Sequence, residues 1–158
     1  MINYNEEQQE FIEEHGQQGL DVLKLCDYDI DHATDCMEFI NNAEWNVDGY
    51  ELLVKHKGDL VAAQDEADKI AFLEEYPDWG QALLDNHHGK LEYAQEQAAK
   101  FEGSYDSMAE FAQQHVEERG IEIPSLLQDH IDWESLGRDL AHDFTVIDGG
   151  NCVYLFRD

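Results

Sequence analysis

Apolar residues along this chain recur mostly at three- and four-residue spacing, with polar residues filling the intervals. Leu20 and Leu23 begin the pattern, and Ile70, Leu73, Leu84, Leu91, Ala94, Ala98 and Phe101 extend it. That period gathers apolar side chains onto one stripe of a helix. It predicts helices near 5–15, 18–26, 30–42, 59–75, 77–87, 90–101 and 105–118, then two short ones at 125–131 and 132–142. Pro77 suits the first turn of a restarting helix, and His88-Gly89 suits a helix stop before Leu91. After Gly120 the texture changes, through Ile121, Ile123 and Pro124. Two β-rich runs between Phe144 and Phe156 then flank Asp148-Gly149-Gly150-Asn151, whose glycines supply the positive φ of a tight hairpin turn. The expected fold class is α+β, predominantly α, ending in a small α/β-hairpin domain.

Sliding the chain by 61 residues matches it to itself. Phe11-Ile12-Glu13-Glu14 falls on Phe72-Leu73-Glu74-Glu75, Gly19 on Gly80, Val22-Leu23 on Leu83-Leu84, Ile30 on Leu91 and Ala33 on Ala94. Further on, Tyr50 falls on Phe111, while Trp45 meets Tyr105 only after a one-residue slip. The glycine and the apolar positions coincide as well as the acids, which favours duplication of a helical module. Three segments follow: a first copy over 1–60, a second over 61–120, and the short helices with the hairpin over 121–158.

Charge changes the picture most. Against 37 Asp and Glu stand 9 Lys and Arg, a formal net charge of −28 in 158 residues. With 42% apolar residues the chain has material for a core, so the charge sits on a folded object. So few basic residues cannot build a patch for nucleic acid or an anionic membrane. The longest apolar runs, such as Cys152-Val153-Tyr154-Leu155-Phe156, are too short to span a bilayer, and the start lacks a signal-peptide pattern. Cys26, Cys36 and Cys152 are odd in number and without CxxC spacing, which predicts free thiols and a cytoplasmic setting.

Asp27, Asp29, Asp31, Asp35 and Glu38 occupy positions 1, 3, 5, 9 and 12 of a calcium loop. His32 stands where that loop needs glycine, Thr34 where it needs an aliphatic residue, and the helix over 30–42 would have to unwind. The histidines include His87-His88, His115, His130 and His142, with no HExxH and no Cys/His zinc spacing. Ser104, Ser107, Ser125 and Ser135 sit in cap or turn contexts and belong to no GxSxG. Neither an enzyme nor a cofactor nor a metal is expected. What remains is a set of carboxylates on outer helix faces: Glu13, Glu14, Asp21, Asp27, Asp29, Asp31, Asp35, Glu74, Glu75, Asp85, Glu92, Glu96, Glu102, Asp106, Glu117 and Glu118. Solubility alone asks for a net charge of about 2 to 8 in magnitude. At one charge per ~1.7 Å of duplex, the surplus corresponds to roughly 48 Å of DNA, and to roughly 95 Å in a homodimer.

The stretches Gly103-Ser-Tyr-Asp-Ser-Met-Ala-Glu-Phe-Ala, Val116-Glu-Glu-Arg-Gly120, Ile123-Pro124-x2-Leu127 and Ile131-Asp-Trp133-Glu-Ser-Leu-Gly-Arg138-Asp-Leu140 resemble the ArdA antirestriction family. Phe11-Ile-Glu-Glu-His-Gly16 and Phe72-Leu-Glu-Glu-Tyr76 are similar to the helical module in the middle of that family. The resemblance covers 65–158 well, and 5–50 as a second copy of the middle module. It departs from the family at 1–60, where members begin with a strand-rich module and this chain reads as helical. It implies an acidic, elongated, homodimeric DNA mimic, encoded by a phage or mobile element, that fills the DNA-binding groove of a host type I restriction-modification enzyme. The alternative is an inhibitor that binds a protein subunit of another host defence complex, such as a BREX-like system, without DNA mimicry. Trp133, Arg138, Tyr154 and Phe156 are the expected subunit contact.

Overall fold

A computed structural model describes residues 2–44 and 46–158. Trp45, matched above to Tyr105, lies outside the described residues. The helices are α1 (Glu6–Leu25), α2 (Ile30–Asn42), α3 (Gly49–Lys55), α4 (Leu60–Glu75), α5 (Gly80–Asn86), α6 (Leu91–Ala98), α7 (Met108–Glu118), α8 (Ser125–Gln128) and α9 (Trp133–Leu140). The strands are β1 (Phe101–Tyr105), β2 (Phe144–Asp148) and β3 (Val153–Arg157). The fold is predominantly α with a little β. Two compact units divide the chain, Met1–Ala71 and Phe72–Asp158.

One local structure recurs three times. After α1, α3 and α5 the chain turns through two residues with positive φ: Asp27 and Tyr28, Lys57 and Gly58, His88 and Gly89. The second of each pair donates its N–H to a carbonyl five residues back, Tyr28 to Leu23 at 2.8 Å, Gly58 to Leu53 at 2.8 Å and Gly89 to Leu84 at 2.9 Å. That is the Schellman closure, which satisfies carbonyls the helix end leaves orphaned. Each turn follows the same pattern: Gly19, Gly49 or Gly80, then Val22-Leu23, Leu52-Leu53 or Leu83-Leu84, and Ala33, Ala63 or Ala94 fourteen residues after the glycine. All twelve of these residues are buried. Burying each leucine contributes about 1.5–3 kcal/mol. The 61-residue match therefore contains two shorter periods, of thirty and thirty-one residues.

In the first unit Asn5 and Gln8 close a reciprocal capping box at the start of α1. Gly16, at φ 63°, kinks this helix, so the expected pair 5–15 and 18–26 becomes two segments of one element. Asp29 caps α2, Asp48 caps α3, and Asp59 accepts from the Ala62 N–H at the head of α4. At the second turn, Glu66 on α4 meets Lys55 and His56, each at 2.5 Å.

In the second unit the sheet has the order β1-β3-β2, antiparallel throughout, with an irregularity between Phe101 and Gly103. Strand alternation sends Tyr154, Phe156 and Ile147 to a cluster with Trp79, Leu83, Leu84, Ala94 and Ala98. On the other face lie Phe144 and Tyr105, whose rings meet Phe111 of α7 at 5.2 and 4.9 Å. Helix α9 then packs on α7 at Gly137, where a Cβ would stand 2.6 Å from the Met108 carbonyl oxygen.

Several sequence expectations need correction. Helix α3 was not expected. Strand β1 fills the gap between the expected helices 90–101 and 105–118, taking the last residue of one and the first of the other, so the hairpin is part of a three-stranded sheet. The expected segments 61–120 and 121–158 thereby share one sheet, because β1 pairs with β3. Helix α5 starts at Gly80, not Pro77, because residues 76–79 form a bend and turn. The expected 125–131 shortens to α8, and 132–142 resolves into α9 followed by a 3-10 turn, Ala141–Asp143.

Replacing Gly137 by Ala should destabilise the protein by about 1–3 kcal/mol, because the new methyl meets backbone and not a flexible side chain. Urea denaturation measures it, and an unchanged midpoint refutes the close approach. Hydrogen bonds from Lys55 and His56 hold the Glu66 carboxyl below its ordinary value of 4.5. A lowered folded-state pKa gives stability that is present above the unfolded value and lost as pH falls through the folded one. The stability gap between wild type and Glu66→Gln should therefore be widest above pH 4.5 and close in more acid solution. A gap independent of pH would exclude the pairing.

Candidate functional site

The expected acidic residues sit at the surface, and among the described residues no polar or charged side chain is buried. Glu13, Glu14 and Asp21 lie on α1, Asp27 in the first turn, Asp29 at the α2 cap, and Asp31 and Asp35 on α2. Glu74 and Glu75 end α4, Asp85 is on α5, Glu92 and Glu96 are on α6, Glu102 is in β1, Asp106 precedes α7, and Glu117 and Glu118 end that helix. Asp21 alone of this set is half-buried, and it accepts from the Gln17 amide at 2.9 Å.

These positions divide by what the backbone gains from them. Asp29, Asp48, Asp59 and Asp132 each accept backbone N–H groups at a helix start, where a negative charge also meets the favourable end of the helix dipole. Glu74-Glu75 and Glu117-Glu118 occupy the opposite ends of α4 and α7, where the dipole disfavours a carboxylate. Stability gives no reason for acids there.

Compensation is sparse. Of 37 carboxylates, Asp65, Glu66 and Glu102 pair with a lysine or arginine among the described residues. Arg157 grips Glu102 through Nε at 2.5 Å and a terminal nitrogen at 3.0 Å, which raises the guanidinium pKa further. Tyrosines register the negative surroundings. The Tyr105 phenol is pushed up by burial and by Glu102, Glu118 and Glu110, three carboxylates that the fold gathers around one ring. Glu75 does the same to Tyr76 through a hydrogen bond. Glu110 was absent from the sequence-derived set. It occupies the N3 position of α7, three residues after the Ser107 cap, and accepts from the Asp106 N–H at 2.6 Å.

The calcium-loop spacing is not realised as a loop. Residues 30–38 are helical, and the Asp29 carboxylate is engaged by the N–H groups of Asp31 and His32. Of the expected subunit contact, Trp133 and Tyr154 are half-buried and Arg138 is exposed. Phe156 is fully buried, with its ring 4.8 Å from Trp79 and 5.2 Å from Phe101, so it is a core residue with no surface to offer a partner. Three of the exposed apolar side chains of this unit, Ile121, Leu126 and Leu127, lie on or just before α8. Among the described residues no helix is long and apolar enough to cross a membrane.

The family model for the antirestriction protein ArdA matches residues 4–153. No curated protein and no solved structure gives a significant match. The family match takes in the helical N-terminal part that departs from the expected strand-rich opening, and it extends into the C-terminal hairpin. Since that match spans nearly the whole length, the chain belongs to the ArdA family of antirestriction proteins.

Proposed function

We propose that this protein inhibits a host type I restriction-modification enzyme by presenting its carboxylates in place of DNA phosphates and occupying the enzyme's DNA-binding groove. The observation that carries this reading is the exposure of nearly all 37 carboxylates, with three of them paired to a basic side chain, in a member of an antirestriction family. Acids at helix C-termini add weight, because folding disfavours them there and a basic partner favours them. A groove that neutralises phosphates with Lys and Arg would gain the same pairing from these side chains. Long-range attraction between surfaces of opposite sign also raises the encounter rate. The protein acts by stoichiometric occupancy, and the chemistry of the reaction stays with its target. The exposed Ile121, Leu126 and Leu127 support a homodimer, which would double the length of duplex imitated.

The test is competition with duplex DNA for a purified type I enzyme. Inhibition should be stoichiometric, weaken as salt rises and be relieved by excess DNA. Joint replacement of Glu74, Glu75, Glu117 and Glu118 by Gln should weaken it about tenfold, at about 0.3–0.4 kcal/mol per exposed charge. Inhibition that is independent of salt and of these charges would sink the mimicry. Light scattering should give a dimer mass for the wild type and a monomer mass for Leu126→Asp; equal masses would remove α8 from the contact.

A further inference from the structure

Three donors that are scattered in sequence converge at the first turn. Cys26 closes α1, His32 lies in the first turn of α2, and Cys36 follows it one turn later on the same helix. Their ligand atoms all lie within 4.8 Å of one another. The two sulfurs are 3.6 Å apart, and Cys36 Sγ is 3.9 Å from His32 Nε2. Both cysteines are buried, and His32 is half-buried.

We propose that Cys26, His32 and Cys36 form a binding site for a thiophilic divalent cation, with Zn²⁺ as the ion the donor set fits. Tetrahedral zinc with bonds of about 2.3 Å to sulfur and 2.0–2.1 Å to nitrogen sets two sulfurs ~3.8 Å apart, and a sulfur and a nitrogen ~3.6 Å apart. The Cys26–Cys36 and Cys36–His32 separations agree with these to within a few tenths of an ångström. The Gly58 carbonyl oxygen, 2.8 Å from the same His32 nitrogen, offers a fourth donor. Asp27, Asp29 and Asp35 lie close enough to act on the two thiols, a negative setting that favours a dication.

The repeat supplies an internal comparison. The slot held by Cys26 and Cys36 is filled in the second turn by His56 and Glu66, at 2.5 Å, and in the third by His87 and Gln97. Position 32 becomes Ala62 and Tyr93. The second copy pairs its two side chains, the Gln97 amide of the third donates instead to the Arg157 carbonyl, and the first holds soft ligands with a third donor beside them.

Burial, aided by Cys36, Asp29 and Asp27, pushes the Cys26 thiol up to about 12, and burial also raises Cys36. Both therefore carry protons when no metal is present. Binding forms two sulfur–metal bonds and one nitrogen–metal bond and releases the two thiol protons to solvent. The proton that His32 Nε2 donates to Gly58 moves to Nδ1, freeing the Nε2 lone pair. The bound ion would tie the first turn to the second within the first unit.

The site does not depend on the proposed inhibition, and its failure would leave that reading standing. The experiment titrates Zn²⁺ into the full-length, reduced, chelator-treated protein against a chromogenic zinc indicator, with Co²⁺ as the spectroscopic probe. One ion per chain should bind, and cobalt should show thiolate charge-transfer and tetrahedral d–d bands. Cys26→Ser and Cys36→Ser should each lose binding at least a hundredfold and His32→Gln about tenfold, while Cys152→Ser should match the wild type. Circular dichroism checks that the variants fold, and the wild-type cobalt spectrum reads the thiolates even where one does not. Weak binding without thiolate bands, or binding unchanged in Cys26→Ser, would assign the metal to surface carboxylates and overturn the site.

Discussion

The turn that closes α1, α3 and α5 is the interaction on which the rest of this protein depends. In each, a residue in left-handed conformation donates its N–H to the carbonyl of Leu23, Leu53 or Leu84, and the leucine that offers the carbonyl is itself buried. Backbone satisfaction and apolar burial are thus achieved by the same residues. A chain with a net charge of −28 gains little from surface pairing and repels itself along every exposed face. Its stability must come from buried apolar clusters, and the repetition of one compact corner supplies part of them with few residues.

Freeing the outer faces in this way separates the carboxylates into two groups. Those at helix starts cap the backbone and would be there in any helical protein. Those that end α4 and α7 oppose the helix dipole, and Glu102, Glu110 and Glu118 crowd around Tyr105. Arg157 offsets the charge of Glu102, and a basic partner, as proposed above, would offset the acids that end α4 and α7. Family membership and electrostatics therefore point in one direction from independent grounds: one rests on residues spread over 4–153, the other on where the fold puts its charge.

Equivalent positions in the three turns also show how a repeated scaffold acquires different chemistry. The slot between the helix-closing residue and the second turn of the next helix holds two thiols in the first copy and a histidine with a carboxylate in the second, while the corresponding positions of the third are His87 and Gln97. Backbone hydrogen bonds at the three turns agree to within a few tenths of an ångström, so the scaffold tolerates these exchanges. The segment that most resembles the family, Ile131 to Leu140, has a packing role: Asp132 caps α9 and Gly137 admits α9 against the Met108 backbone.

Local physics made much of this protein legible in one dimension. Helix α2, the end of α4 at Glu75 and the end of α7 at Glu118 fall at the bounds the apolar period predicts, and the hairpin at Asp148–Asn151 follows from its glycines. The acid excess and the family resemblance needed no coordinates either. What escaped was decided by contacts between residues far apart in the chain. Strand β1 is five residues that become a strand only because β3 offers an edge some fifty residues later. Phe156 looked available for a partner until Trp79 and Phe101 covered it, and Cys26, His32 and Cys36 showed no ligand spacing until the turn folded them together. Periodicity and capping act within a few residues, so sequence determines the elements and the charge. Burial, pairing and proximity depend on which surfaces meet, and those the tertiary structure alone decided.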